Sequence, residues 1–367
     1  MQANPKLETF ARVQRGIKGM PWEEVGCAIP KGASIKETLV TAGLDWEVQR
    51  LPLFAEMQKE IPIVETETGK IGATRLIKKR IPIDRSYALV RTKDYKVLSP
   101  WMGKVYKPIQ NEEAFKVFYE FVRAGDMTME SAGSLADGKH IWGLASINKG
   151  FCLANGETVQ GYFLLVQSHL YANALRAMFT PIRFPGGSTL IQAINVGGRS
   201  GTYTMSHARR FDEERIQEIK ELLGMAESNL VNFRRQAEFL AETPLDEKDG
   251  AHLLAQIFDQ QLIHRAKAKS GDERIPRSLA EISESPHSGR LLRRVGPLVR
   301  NYPGSDLPSC KDTAWGYYNA VIYAYDHVLG HNVDTRLNSA WLGKNVAGKL
   351  RALDLTMAMA TARSSIA

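Results

Sequence analysis

The sequence predicts an α+β protein: an antiparallel β-meander, forming a curved sheet packed on helices, followed by a mostly α-helical carboxy-terminal region with one long helix. Three observations predict it. Two turn dipeptides, Asp137-Gly138 and Asn155-Gly156, sit among short apolar-rich segments over residues 127–168, where tight hairpins need positive φ. From Ile216 to Leu240, apolar residues recur at alternating spacings of three and four, which marks a helical seam. The character of the chain changes at about residue 206. Residues 1–205 therefore read as a β-rich domain with a basic hairpin and one amphipathic helix. Residues 206–367 read as a helical region containing a basic loop at about 265–310.

Taken in order, "KGASIKETLVTAGL" is a short helix with Ser34 as N-cap and Gly43 as its stop. "DWEVQRLPLFAEM" is a strand candidate. The stretch after it is hairpin material, because Ile77, Ile81 and Ile83 share one parity while Lys78 and Arg80 take the other; Lys79 breaks the alternation. "NEEAFKVFYEFVRAGD" is an amphipathic helix capped by Asn111, with Glu112 and Glu113 in its first turn and Gly125 closing it in the left-handed conformation. "MTMESAGSL", "KHIWGLASI", "FCLA" and "VQGYFLLVQS" form the meander. "PIRFPGG" and "INVGGRSG" read as glycine-rich loops around one more strand, "STLIQAI". The long seam follows, through Leu223, Leu230, Phe233, Ala237 and Leu240. "EKDGAHLLAQIFDQQL", "TAWGYYNAVIYAYDHVLG" and "NVAGKLRALDLTMAMATA" are further helices, the last with Val346, Leu350, Leu353 and Met357 as its stripe.

Apolar content of 44% and charged content of 24% belong to a folding globular chain of 367 residues, long enough for a full core. Cys27, Cys152 and Cys310 lie far apart without a CxxC spacing, which argues against a zinc site or a disulfide framework and for a reducing, intracellular setting. The start of the chain has no apolar signal region and no run is long enough to cross a bilayer, so neither secretion nor membrane insertion is expected.

The formal charge is +8, and its placement matters more than its size. Residues 71–107 carry ten Lys and Arg against two Asp, a local excess equal to that of the entire chain. Lys78, Lys79, Arg80, Arg85, Arg91, Lys93, Lys96, Lys104 and Lys107 suit phosphates, and Tyr87, Tyr95, Trp101 and Tyr106 are flat rings on which bases stack. The competing account makes these cations the solvated face of a sheet and the rings its core.

Other motifs are weaker. Residues 264–300 carry nine Lys and Arg against four acids, and a surface loop accounts for them better than further phosphate contacts from Arg293, Arg294 and Arg300. His327 and His331 have helical zinc-pair spacing but lack the HExxH context, so no metal is expected. "VGGRSG" lacks the order of a phosphate-binding loop and reads as a turn. No GxSxG elbow or carboxylate cluster points to covalent chemistry or a cofactor.

"MPWEEVG", "AGLDWEV", "YKPIQNEEAF", "ESAGSLADGKHIWGLASI", "TAWGYYNAVIYAYDH" and "RLNSAWLGKNVAGKLRALDL" resemble the phage- and plasmid-related family catalogued as domain of unknown function nine-three-two. The chain departs from that pattern at "AINVGG", where the family commonly has a Cys-Asn-Thr-Leu run, keeping Asn195 by rough placement and His207. The resemblance implies a gene of mobile elements acting in a bacterial cytoplasm, similar in setting to recombination genes found beside exonucleases. A looser likeness is to Rad-fifty-two-type single-strand annealing proteins, which is an analogy of fold. Together with the basic segment, these imply a cofactor-free homo-oligomer that binds and anneals single-stranded DNA. Two alternatives are a protein-interaction factor of the mobile element and a metal-dependent nuclease. The 216–240 seam is read as intramolecular packing before it is read as a contact between chains.

Overall fold

The structure, a computed structural model, describes residues 20–64, 71–153, 157–170, 175–184, 187–190, 203–205, 213–268 and 275–365. Among the described residues, ten strands make two antiparallel sheets. β1 (Gly26–Ala28), β5 (Thr128–Leu135), β6 (His140–Cys152), β7 (Thr158–Ser168), β8 (Leu175–Phe184) and β10 (Tyr203–Met205) run side by side in that order, with β9 (Ser188–Thr189) also on β8. β2 (Val48–Val64), β3 (Ile71–Arg91) and β4 (Val97–Gly103) form the second sheet. Helices follow the strands: α1 (Ile35–Thr41) and α2 (Asn111–Ala124) early, then α3 (Glu213–Glu242), α4 (Glu247–Phe258), α5 (Gln260–Ala268), α6 (Leu279–Glu284), α7 (Arg290–Val295), α8 (Ala314–Tyr323), α9 (Val333–Trp341) and α10 (Lys344–Ser364). The meander and the long helix are where the sequence placed them.

The larger sheet is covered on both faces, which explains why β6 and β7 read as nearly continuous apolar runs. On one face α2 lays Phe118 and Phe121 against Phe163 of β7, ring centroids 6.3 and 4.9 Å apart. Phe233 of α3 meets Phe151 of β6 at 6.1 Å and Trp315 of α8 at 5.9 Å. On the other face Trp142 stands edge-on to Trp341 of α9 at 5.3 Å, beside Trp22. Gly26 and Gly133 are opposite one another in register; a Cβ at Gly26 would strike the Trp142 indole, and one at Gly133 would strike the Val25 carbonyl and Gly26 itself. One hydrophobic core runs from α2 and the meander into α4, α8 and α10, across the change of character at 206.

Two buried charge clusters tie the meander to the helices. Glu157 is fully buried and accepts from Arg183 Nε, Ser309 Oγ (2.6 Å) and Trp315 Nε1 (3.0 Å); Arg183 Nη1 donates to the Pro303 carbonyl (3.0 Å). Lys349 of α10, also fully buried, donates to Asp326 and to Thr189 Oγ1 (2.7 Å), while Asp326 accepts from the Thr189 amide (2.7 Å). Burial pushes the Lys349 ammonium below its ordinary range, and Asp326 opposes that shift.

Several sequence expectations are corrected. α2 is capped by Gln110, whose backbone N–H donates to Glu113 Oε2 (2.8 Å) while its side-chain amide pairs with the Val48 backbone. Asn111 instead turns inward and donates to the Leu44 and Trp46 carbonyls. Gly125 has φ −100°, and the left-handed residue is Asp126 (φ 48°). "PIRF" completes β8 rather than a loop, because Ile182 is core and Arg183 is held by Glu157. "KHIWGLASI" and "FC" are one strand. The basic loop of 265–310 contains α6 and α7, which bury Leu279, Ile282, Leu292 and Val295. The α10 stripe is wider than its apolar residues: Leu353 is buried as expected, and Val346 and Met357 pack against the core, but Asn345, Ala352, Thr356, Ala360 and the paired Lys349 are buried with them. The Ser34 cap with its reciprocal Glu37, Gly43 (φ 65°), and the positive φ of Asp137 and Gly138 stand as expected. Asn155-Gly156, Asn195 and His207 lie outside the described residues.

Candidate nucleic-acid interface

β2 and β3 continue as a two-stranded ribbon well beyond their contact with β4, which pairs β3 only from Ser86 to Val90. From Phe54 and Pro82 to the far end at Val64 and Ile71 the ribbon is roughly 35 Å long at strand rise. Every side chain over 54–62 and 74–85 is exposed, so neither face is covered by the body. At its root β3 carries a bulge: Pro52 pairs with Tyr87 but Phe54 with Pro82, and Arg85 within it is left-handed (φ 55°).

The register sorts the ribbon's side chains into two faces, since residues directly opposite share a side. One face pairs Glu56 with Arg80, Gln58 with Lys78 and Glu60 with Leu76. Glu56 lies 3.6 Å from Lys78 and 3.8 Å from Arg80, so its cations are matched by acids. The other face pairs Met57 with Lys79, Lys59 with Ile77 and Ile61 with Arg75, after Ala55 with Ile81. Lys79 thus belongs with the isoleucines, which resolves the break in its alternation.

The remaining cations are divided between structure and solvent. Arg85 is 3.5 Å from Asp84, Lys93 is 3.2 Å from Asp45 and Lys96 is 2.8 Å from Asp137. Arg91 is a structural side chain: it forks onto Asp94 (2.7 and 2.5 Å), donates to the Asp137 carbonyl (3.0 Å) and lies over the Trp46 ring at 5.3 Å. That fork holds the Asp94 carboxyl down to about 2. Lys104 and Lys107 are exposed and have no acidic partner among the described residues, and the same holds for Lys79. The expectation of one undivided field across 71–107 is therefore narrowed. Exposed ion pairs at these distances are worth about 0.2–1 kcal/mol, so a phosphate can compete for Lys78 and Arg80 but displaces little from Arg91.

The aromatic residues divide as well. Trp101 is 46% exposed at the ribbon's root, with Nε1 donating to Ser86 Oγ (3.1 Å). Tyr95 is 80% exposed. Tyr87 is half-buried under Arg50, whose guanidinium lies 4.4 Å above its ring, and Tyr106 is half-buried against the core. Sequence reasoning missed Lys59 and Arg75. Lys59 sits on the other strand and enters the interface only through pairing register.

The second basic region is placed elsewhere. Arg300 pairs with Glu247 (2.5 Å), Arg294 donates to the Val328 carbonyl (2.8 Å), and α7 packs on α4 and α6. His327 stacks on Tyr323 at 4.4 Å within a π-helical turn over Ala324–Val328. Among the described residues, no three His, Cys, Asp or Glu converge as a metal site. The Cys310 thiol beside Glu157 is pushed up by burial and by that carboxylate, which makes it a poor nucleophile. No described helix is long and apolar enough to cross a membrane.

No curated protein and no solved structure matches this chain, so the likeness to Rad-fifty-two-type annealing proteins gains no support from a neighbour of known structure. A family profile does match. It begins at Trp101, after the ribbon, and ends at Leu342, taking in the meander, α2 and the helices through α9. Residues 101–342 are well over half of the chain, and on that match the protein belongs to the family described as Domain of unknown function (DUF932).

Proposed function

We propose that this protein binds single-stranded DNA along its projecting ribbon and root, and brings complementary strands together without covalent chemistry. The observation that carries the reading is the ribbon itself: an uncovered, cation-bearing element, with the half-exposed Trp101 where it joins the body. Cations hold phosphates while bases stack or remain free to seek partners. The setting implied by the family resemblance, a mobile element in a bacterial cytoplasm with a neighbouring exonuclease, suits annealing. Self-association would extend the binding track. The second half of the α3 seam is not its contact, because Leu230, Phe233, Ala237 and Leu240 are buried within the chain.

Gel shifts with single- and double-stranded oligonucleotides at two salt concentrations test the reading. Single strands are expected to bind more tightly, with a log–log salt slope of about −3 to −4 for four to six engaged cations. Trp101→Ala is expected to weaken binding by about 1–3 kcal/mol at nearly constant slope. Shortened products in the presence of magnesium would identify a nuclease instead.

Exposed aliphatic side chains on the ribbon, Met57, Ile61, Ile77 and Ile81 among them, favour a second reading, a protein partner. A stoichiometric protein recovered from nuclease-treated lysate, together with no affinity for oligonucleotides, would select it.

A further inference from the structure

We infer that the nucleic-acid strand lies on one face only of the ribbon, the face of Met57, Lys59, Ile61, Arg75, Ile77 and Lys79, and that the face of Lys78 and Arg80 points away from it. The inference rests on the reading that the protein binds single strands, and it replaces the cations most prominent in the sequence by a different set.

Charge segregation is the first argument. The Lys78 and Arg80 face holds two cations and two acids, Glu56 and Glu60. The opposite face holds Lys59, Arg75 and Lys79 and no acid over the paired positions 55–61 and 75–81. Charges that served only to keep an exposed ribbon soluble would do so with either sign, as they do on the first face. A surface with three cations and no acid is complementary to a polyanion.

Arrangement is the second. Each cation stands directly across from an aliphatic side chain: Lys79 from Met57, Lys59 from Ile77, Arg75 from Ile61. Along the ribbon axis the cations alternate between strands and recur every two residues, about 6.8 Å. The face therefore offers a row of charges with apolar surface between. A single strand, with phosphates on one side and unstacked base faces on the other, meets both needs; a duplex hides its base faces.

Other occupants fit less well. Two copies packed through this face would bring six cations together with no acid between them. A bilayer that took in the isoleucines would take in Lys79 and Arg75 at the same depth. Addition of a third strand along β2 is interrupted at Pro52 and Pro62, which have no N–H to give.

The experiment compares two variants of the full chain, Lys59→Ala/Arg75→Ala/Lys79→Ala and Lys78→Ala/Arg80→Ala, by fluorescence anisotropy with a labelled oligothymidylate of ~30 nucleotides. All five side chains are exposed, and unchanged melting curves certify the folds. The triple variant is expected to lose at least tenfold in affinity and about 2 units of salt slope, at roughly 0.7 per phosphate contact. The double variant is expected to stay near the parent. Ile61→Ser/Ile77→Ser is expected to weaken binding with the slope kept. If the parent binds and the double variant loses more than the triple, or the triple matches the parent, the face assignment is overturned while single-strand binding stands. If the parent binds no oligonucleotide, the proposed function falls first. A change of mass by light scattering in the triple variant, or loss of binding to phosphatidylserine vesicles with oligonucleotide affinity intact, would assign the face to a second copy or to a membrane and overturn the inference.

Discussion

The ribbon and the meander use the same antiparallel pairing to opposite ends. β6 and β7 have aromatic layers on both sides, and the buried Arg183 of the adjoining β8 is neutralised out of water by Glu157. β2 and β3 are longer strands, uncovered over residues 54–62 and 74–85, and the charges there stand in solvent. Backbone hydrogen bonds alone do not distinguish them. Isolated hairpins are marginal in water, so the ribbon's order derives from its root, where Leu89 and Val90 enter the core beside β4. The difference shows that stability in this molecule is concentrated in the covered sheet, while the uncovered one is free to be spent on contact.

Substitution separates the two regimes. Glu157→Ala removes the acceptor shared by Arg183, Ser309 and Trp315 and leaves a guanidinium uncompensated in the interior. A loss of about 3–5 kcal/mol is expected, read as a large fall in urea midpoint or as insoluble protein. Lys349→Met should cost a similar amount. Adding Asp326→Leu should recover part of it, because the second change removes the stranded charge, and a double-mutant cycle measures the recovery. Additive losses would show that the pair is not coupled.

Acid tests the covered sheet differently. His140 at the start of β6 is held down to about 4 by burial, with Arg176 and Lys139 adding repulsion. The unfolded chain binds this proton from its ordinary value near 6.5. Stability is therefore full above that value and declines as the pH falls towards 4, by up to about 3 kcal/mol. Urea midpoints measured through that window should fall less steeply in His140→Gln. At the small end, Glu56→Gln on the ribbon should change stability by no more than about 0.5 kcal/mol, in calorimetry on either side of neutrality. A loss of several kcal/mol there would mean the ribbon is part of the core.

The elements whose signals are local were readable from the sequence: the Ser34 cap, the Asp137-Gly138 turn, the meander and the seam of α3. What was hidden depended on partners distant in the chain. Asn111 looks like a cap, yet it turns inward because the Leu44 and Trp46 carbonyls need a donor. Lys349 looks like a solvent residue within an apolar helix, and only Asp326 explains its burial. "PIRF" looks like a loop because its arginine has no visible partner nearby, and Glu157 supplies one from the neighbouring strand. The candidate interface follows the same rule. The cation excess over 71–107 was plain, but assigning each cation to a face or an acid required the register with β2.

The Glu157 cluster also bears on how the chain is made. Arg183 draws on the Pro303 carbonyl 120 residues later, and Glu157 on Ser309 and Trp315, 152 and 158 residues later. A nascent chain that has left the ribosome only through β8 has both charges in hand but not the segment that shuts water away from them. The meander then waits as an unfinished sheet until α8 emerges, so translation speed over residues 184–315 sets how long its apolar strands stand open to chaperones.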